Sequence, residues 1–253
     1  MPSVAVLREG GDKPPLFAVH LAGGHLSDYL PLAHITPVDQ PVLGLRPSSF
    51  RDSRLTIEDI AADAVRTMRE HTPNGPYRII GYSWGGLVAF EMARQLYDNN
   101  ESVSHLILLD TDLSNKYSFS DLFKFDYAPW RHFIKKRVIK TIKHIPNIGQ
   151  KTNISARHQN RLAETHIAST RKYIPRPLNL PNVLLFSAVP NNDKIYSTIY
   201  NQKKWRKLIG GRLNLINYSV THTNLVKEPI IFSVSKELNK FLNEGYAEVS
   251  HSF

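Results

Sequence analysis

The chain has no cysteine among its 253 residues. Disulfides, thiolate nucleophiles and thiolate metal sites are therefore excluded, and a reducing compartment is compatible with the composition. No apolar run approaches the roughly 18 residues of a membrane-spanning helix, so no stable insertion in a bilayer is expected. Met1-Pro2-Ser3-Val4 lacks a basic segment followed by an apolar one, so no secretory signal is read and a cytoplasmic location is expected. Phosphate-binding loops, G-x-G-x-x-G and metal-ligand spacings are absent too, so no metal or cofactor is expected. Acidic residues are scarce, 22 against 32 Lys and Arg, for a net charge of +10.

That excess is local. Lys124 to Arg176 carries 13 Lys and Arg against only Asp126 and Glu164. So concentrated a field suits an acidic partner surface, although solubilising charge on an exposed insertion is equally compatible with it. No nucleic-acid motif accompanies the charge, and nucleic acid is not an expected partner.

The rest of the chain alternates strand and helix patterns, which implies an α/β domain with a mostly parallel sheet. Leu16 to His20 is an apolar run ending at Ala22-Gly23-Gly24, and Val42 to Leu45 is a second strand. Thr56 caps a helix whose Ile57, Ile60, Ala61, Ala64, Val65 and Met68 share one face. Tyr77 to Ile80 and Val103 to Leu109 are further buried strands, with a helix from Leu87 to Leu96 between them. The alternation breaks after Asp112, and residues 113–173 read as two or three inserted helices. Asn182 to Phe186 resumes the sheet, Leu213 to Tyr218 ends it, and a terminal helix runs from about Pro229 to Asn243 before a frayed tail.

Between the strand at 77–80 and the helix after it lies Gly81-Tyr82-Ser83-Trp84-Gly85-Gly86. Strand, G-x-S-x-G and helix together describe an elbow that thrusts Ser83 from the end of a sheet. A serine hydroxyl needs a base, and that base needs an orienting acid. Of eleven histidines, only His222 lies in the loop between the last strand and the terminal helix. His132, His144, His158 and His166 fall in the basic insertion, where a charged or solvated role is expected. For the acid, Asp110 ends a buried strand and ranks first, with Asp112 and Asp193 as alternatives. An oxyanion would be held by the backbone N–H of Trp84 and one from the first turn, Ala22 or else Leu21.

Three blocks of this chain resemble a known group: Pro15 to Gly24, Gly75 to Gly86 continuing to Ala93, and Leu108-Leu109-Asp110. With the His222 to Pro229 loop, they look like the thioesterase domains that end nonribosomal peptide and polyketide synthases, within the α/β-hydrolase superfamily. The resemblance covers nearly the whole chain, 1–253, as a single domain, and implies that residues of about 113–173 form a lid. It implies an acyl-Ser83 intermediate, His222 as base and Asp110 rather than Asp193 as acid. The substrate would arrive on the phosphopantetheine of an acidic acyl or peptidyl carrier protein meeting the basic lid, with release by hydrolysis or cyclisation. Leu21 stands where the group usually has proline. Two other readings remain: a free-standing esterase or lipase on small esters, and a catalytically silent binding module using the basic insertion.

Overall fold

The computed structural model describes residues 4–47, 55–113, 156–190 and 195–249, and gives only the backbone of 156–159, 195–196 and 245–249. Seven strands form one sheet: β1 (Val4–Arg8), β2 (Leu16–Val19), β3 (Val42–Leu45), β4 (Tyr77–Tyr82), β5 (Val103–Leu109), β6 (Val183–Ala188) and β7 (Leu213–Tyr218). Their order is β1-β3-β2-β4-β5-β6-β7. Only the edge strand β1 is antiparallel to its neighbour. The remaining pairs are parallel, as the alternation of patterns requires.

The apolar runs read as doubly buried strands are so. Phe17, Val19, Ile79, Leu106 and Leu108 face one core, while Leu16, Ala18, Ile80, Ile107 and Leu109 face the other. This period-of-two division lets one short run stabilise two layers. The first core is covered by α2 (Ile57–His71) and α3 (Trp84–Asp98), the second by α1 (Leu30–Ile35) and α6 (Ile230–Val249).

Helix α2 begins with reciprocal bonds: the Asp59 N–H donates to Thr56 Oγ1, and the Thr56 N–H donates to the Asp59 carboxylate. Such a box satisfies two otherwise orphaned donors and stabilises by about 1 kcal/mol. Helix α3 starts at Trp84, three residues before the sequence suggested, and all its residues from Trp84 to Arg94 are buried. It is the central prop beneath the elbow.

Most of the expected insertion, and most of its basic residues, lie outside the described residues, as does Asp193. Its closing helix, α4 (Ala156–Thr170), is described and packs on the first core through Ile167. Helix α5 (Ile195–Leu208) was not foreseen; Trp205 anchors it in the first core. Helix α6 continues to Val249, beyond the expected end at Asn243, because no proline follows Pro229 to stop it. Among the described residues, no helix is long and apolar enough to cross a membrane.

Candidate active site

The elbow is built from two kinds of constraint. Ser83 has φ 55° and ψ −125°, a conformation rarely adopted by a residue with a side chain. Holding it there costs about 1–3 kcal/mol, supplied by the packing around it. The glycines supply the space. A Cβ on Gly81 would stand 2.4 Å from the Gly85 carbonyl oxygen, and one on Gly85 2.7 Å from that of His20. The Ser83 N–H donates to the Leu109 carbonyl at 2.8 Å, tying the turn to the end of β5.

Asp110 follows β5 directly, also with positive φ, 44°. Its N–H donates to the Phe186 carbonyl at 2.7 Å, and its Oδ1 accepts the Ala188 N–H at 2.9 Å. One carboxylate oxygen is thus held by the neighbouring strand, and the other is left for His222. His222 Nδ1 lies 2.6 Å from Asp110 Oδ2, and His222 Nε2 lies 2.9 Å from Ser83 Oγ. The carboxylate accepts a hydrogen bond from Nδ1–H and so fixes the tautomer, which leaves Nε2 as acceptor for the serine hydroxyl. His222 sits in a short 3-10 turn after β7, its ring stacked on Tyr82 at 4.9 Å. The Tyr82 hydroxyl donates to the His222 carbonyl at 3.0 Å, so the histidine is held from beneath by both ring and backbone.

The structure therefore brings Ser83, His222 and Asp110 together. Asp112, the alternative two residues on, does not occupy the position at Nδ1.

The first turn was expected to offer one N–H to an oxyanion. The Leu21 N–H donates to the His25 carbonyl at 2.9 Å, and that of Gly24 to the Leu21 carbonyl at 2.8 Å. The Gly23 N–H donates to His166 Nδ1 at 3.3 Å. Among the described residues no partner is found for the Ala22 N–H, or for that of Trp84 at the start of α3. Leu21, the alternative donor, is already engaged.

His166 departs from expectation. It is 1% exposed, and burial pushes its pKa well below the ordinary value, so it is neutral rather than charged or solvated. The signal was available: Leu162, His166, Ser169 and Thr170 make a buried stripe at helical spacing. Two further residues around the site carry no motif. Tyr29 bridges the ends of β2 and β4, donating to the Val19 carbonyl at 2.8 Å and accepting the Tyr82 N–H at 2.7 Å. Asp28 beside it is buried, and loss of solvent raises its pKa to about 6, against smaller opposing effects that include nearby His222. Among the described residues, no group of three His, Asp or Glu is placed to hold a metal ion.

The family model for the thioesterase domain matches residues 14–237. The chain belongs to the thioesterase domain family. Its sequence is 42% identical over 107 residues to a dimodular nonribosomal peptide synthase of Bacillus subtilis, covering 41% of this chain and 4% of that protein. Nonribosomal peptide synthetase pngA of Aspergillus terreus is 41% identical over 110 residues, covering 42% of this chain and 12% of that one. The thioesterase domain thus spans a small fraction of the length of these curated relatives. Among solved structures, the NocB thioesterase domain in covalent complex with a fluorophosphonate nocardicin G analog superposes with a TM-score of 0.70. The two are 23% identical, and the match covers 95% of this chain and 99% of that one. A four-domain nonribosomal peptide synthetase, holo-AB3403, gives a TM-score of 0.71 at 19% identity, covering 94% of this chain and 20% of that one. The shared fold is that of α/β-hydrolase thioesterase domains, as the sequence implies.

Proposed function

We propose that this thioesterase domain releases an acyl or peptidyl chain from the phosphopantetheine thioester of a carrier protein, through an acyl-serine intermediate. The observation that carries the reading is the relay from Asp110 Oδ2 through His222 to Ser83 Oγ, with contacts of 2.6 and 2.9 Å. Family membership and the synthase context of the sequence relatives supply the substrate class.

In this mechanism Ser83 Oγ attacks the thioester carbonyl while His222 Nε2 takes its proton. The tetrahedral oxyanion accepts hydrogen bonds from the backbone N–H groups of Ala22 and Trp84, for which no other partner is found among the described residues. Collapse breaks the C–S bond, and His222 returns the proton to the departing thiolate. Water, or a hydroxyl or amine of the chain itself, then attacks the ester with His222 again as base, giving hydrolysis or cyclisation. Asp110 keeps the Nδ1 proton in place and stabilises the imidazolium. All of these steps use groups of this chain; the pantetheine arm belongs to the partner. The carrier's acidic surface meets the basic stretch Lys124 to Arg176, of which Arg161, Arg171, Lys172 and Arg176 are described and exposed.

The test is intact-mass spectrometry after mixing the protein with peptidyl- or acyl-loaded carrier. A transient adduct on Ser83, absent in Ser83→Ala, together with accelerated carrier unloading is expected. Unloading by Ser83→Ala at the wild-type rate would overturn the mechanism. Faster turnover of simple esters than of acyl carriers would assign the same serine to an esterase.

A further inference from the structure

The turn that carries the Ala22 N–H is not rigid by itself. Gly23 and Gly24 follow one another with φ of 87° and 84°, and glycine pairs gain little from local sterics. Two bonds within the turn fix Leu21 and Gly24, but the middle is held from outside. The Gly23 N–H donates to His166 Nδ1, a residue 143 positions away on α4.

The same imidazole also holds the other side of the oxyanion site. It lies flat against the Trp84 indole, with 4.5 Å between centroids and an interplanar angle of 0°. His20, the residue after β2, stacks against it at 5.2 Å. The Trp84 Nε1–H donates to the His166 carbonyl at 2.8 Å, and Ser169 Oγ donates to that carbonyl as well. The two backbone donors proposed for the oxyanion therefore belong to segments that meet at one residue. Nδ1 can accept only from the neutral ring, and deep burial, with no carboxylate in hydrogen-bond contact among the described residues, keeps the ring neutral.

We propose that His166 is a positioning residue: by accepting the Gly23 N–H while packed on Trp84, it sets the spacing of the Ala22 and Trp84 N–H groups. The proposal rests on the acyl-serine reading above. It makes helix α4, the end of the inserted segment, part of the transition-state machinery without touching substrate.

Two substitutions separate the hydrogen bond from the packing. His166→Phe keeps a flat ring on Trp84 but offers no acceptor. His166→Asn loses the ring but places a carbonyl oxygen near the position of Nδ1. Both are assayed in the full chain on a small acyl-pantetheine thioester, with thermal unfolding alongside. The expected result is a kcat at least about 10-fold lower for His166→Phe with KM nearly unchanged, because the lost interaction serves the transition state. His166→Asn recovers much of kcat despite a lower melting temperature. Wild-type kcat in His166→Phe, or a kcat that follows the ring rather than the acceptor, overturns the proposal. If His166→Phe does not fold, His166→Ala against His166→Asn decides, since neither has a ring and equal kcat values refute the role. Ser83→Ala run in parallel keeps the two ideas apart. Activity there defeats the acyl-serine reading, whereas inactivity there with a normal His166→Phe defeats only the role of His166.

Discussion

The hydroxyl of Tyr29 accepts the backbone N–H of Tyr82 at 2.7 Å and donates to the carbonyl of Val19 at 2.8 Å. One phenol thus joins the strand that leads into the Ala22-Gly23-Gly24 turn to the strand that leads into Ser83. Tyr29→Phe leaves a buried N–H and a buried carbonyl without this partner, and is expected to lower stability by about 1–3 kcal/mol. Urea unfolding followed by tryptophan fluorescence measures it. An unchanged midpoint would mean that water or rearranged backbone replaces the phenol.

Asp110→Asn keeps the size of the side chain and its bond to the Ala188 N–H but not the charge facing His222. The amide favours the wrong imidazole tautomer, and kcat is expected to fall about 10³–10⁴-fold with a small change in KM. Single-turnover unloading of an acyl carrier is the measurement. Retention of more than a tenth of the rate would give the orienting role to another acid.

Gly81→Ala tests the steric account of the elbow. The added methyl would stand 2.4 Å from the Gly85 oxygen and 2.5 Å from the Gly86 Cα, both backbone atoms within the turn. No side chain can move aside there. Loss of soluble folded protein, or a melting temperature lower by many degrees, is expected by differential scanning calorimetry. A wild-type melting curve would show that the turn has slack.

Acid should destabilise the fold through buried histidines. Burial lowers the pKa of His20 to about 4 and that of His105 to about 4, and that of His166 falls as well. The unfolded chain takes up these protons first. Stability is therefore complete above the unfolded histidine pKa near 6.5 and is lost as pH falls through the folded values. His20 alone accounts for on the order of 3 kcal/mol. Asp28 acts oppositely: with its pKa raised to about 6, its contribution is present below 3.8 and lost as pH rises through 6. Urea titrations at pH 7.5 and 5 should show lower stability at pH 5. His105→Gln should narrow that difference, and Asp28→Asn should widen it. A pH-independent midpoint in both the parent and Asp28→Asn contradicts the histidine assignments.

Charge steering by the basic segment has its own signature. Raising ionic strength from low to physiological values shortens the screening length from about 30 Å to about 8 Å. kcat/KM for an acyl carrier should then fall several-fold, while that for a free acyl-pantetheine thioester stays level. Equal salt responses would leave the positive charge a matter of solubility.

What the sequence disclosed depended on whether the cause was local. The elbow was legible because Gly81, Ser83 and Gly85 act within a few residues of one another, and Thr56 announced its helix in the same way. Asp110 was legible because a carboxylate closing an apolar strand needs a partner. Helix α5 was missed because Ile195–Leu208 is rich in Lys and other polar residues and carries only a weak apolar stripe around Trp205. The short helix α1 was hidden by Pro31, which reads as a turn although it sits within the first turn of that helix. Tyr29 and Ala188 act across the sheet, where spacing along the chain carries no information, and the spacing around His166 announces its burial but not its partners in distant segments.

The relay between Ser83 and Asp110 closes only through His222, 139 residues after the one and 112 after the other. The carboxylate is itself anchored to β6, which enters the sheet late. A ribosome that has made only the first two-thirds of this chain has made an elbow with an inert hydroxyl. The relay is complete only once the last two strands have docked. A chain truncated before residue 222 should therefore be deaf to fluorophosphonate labelling.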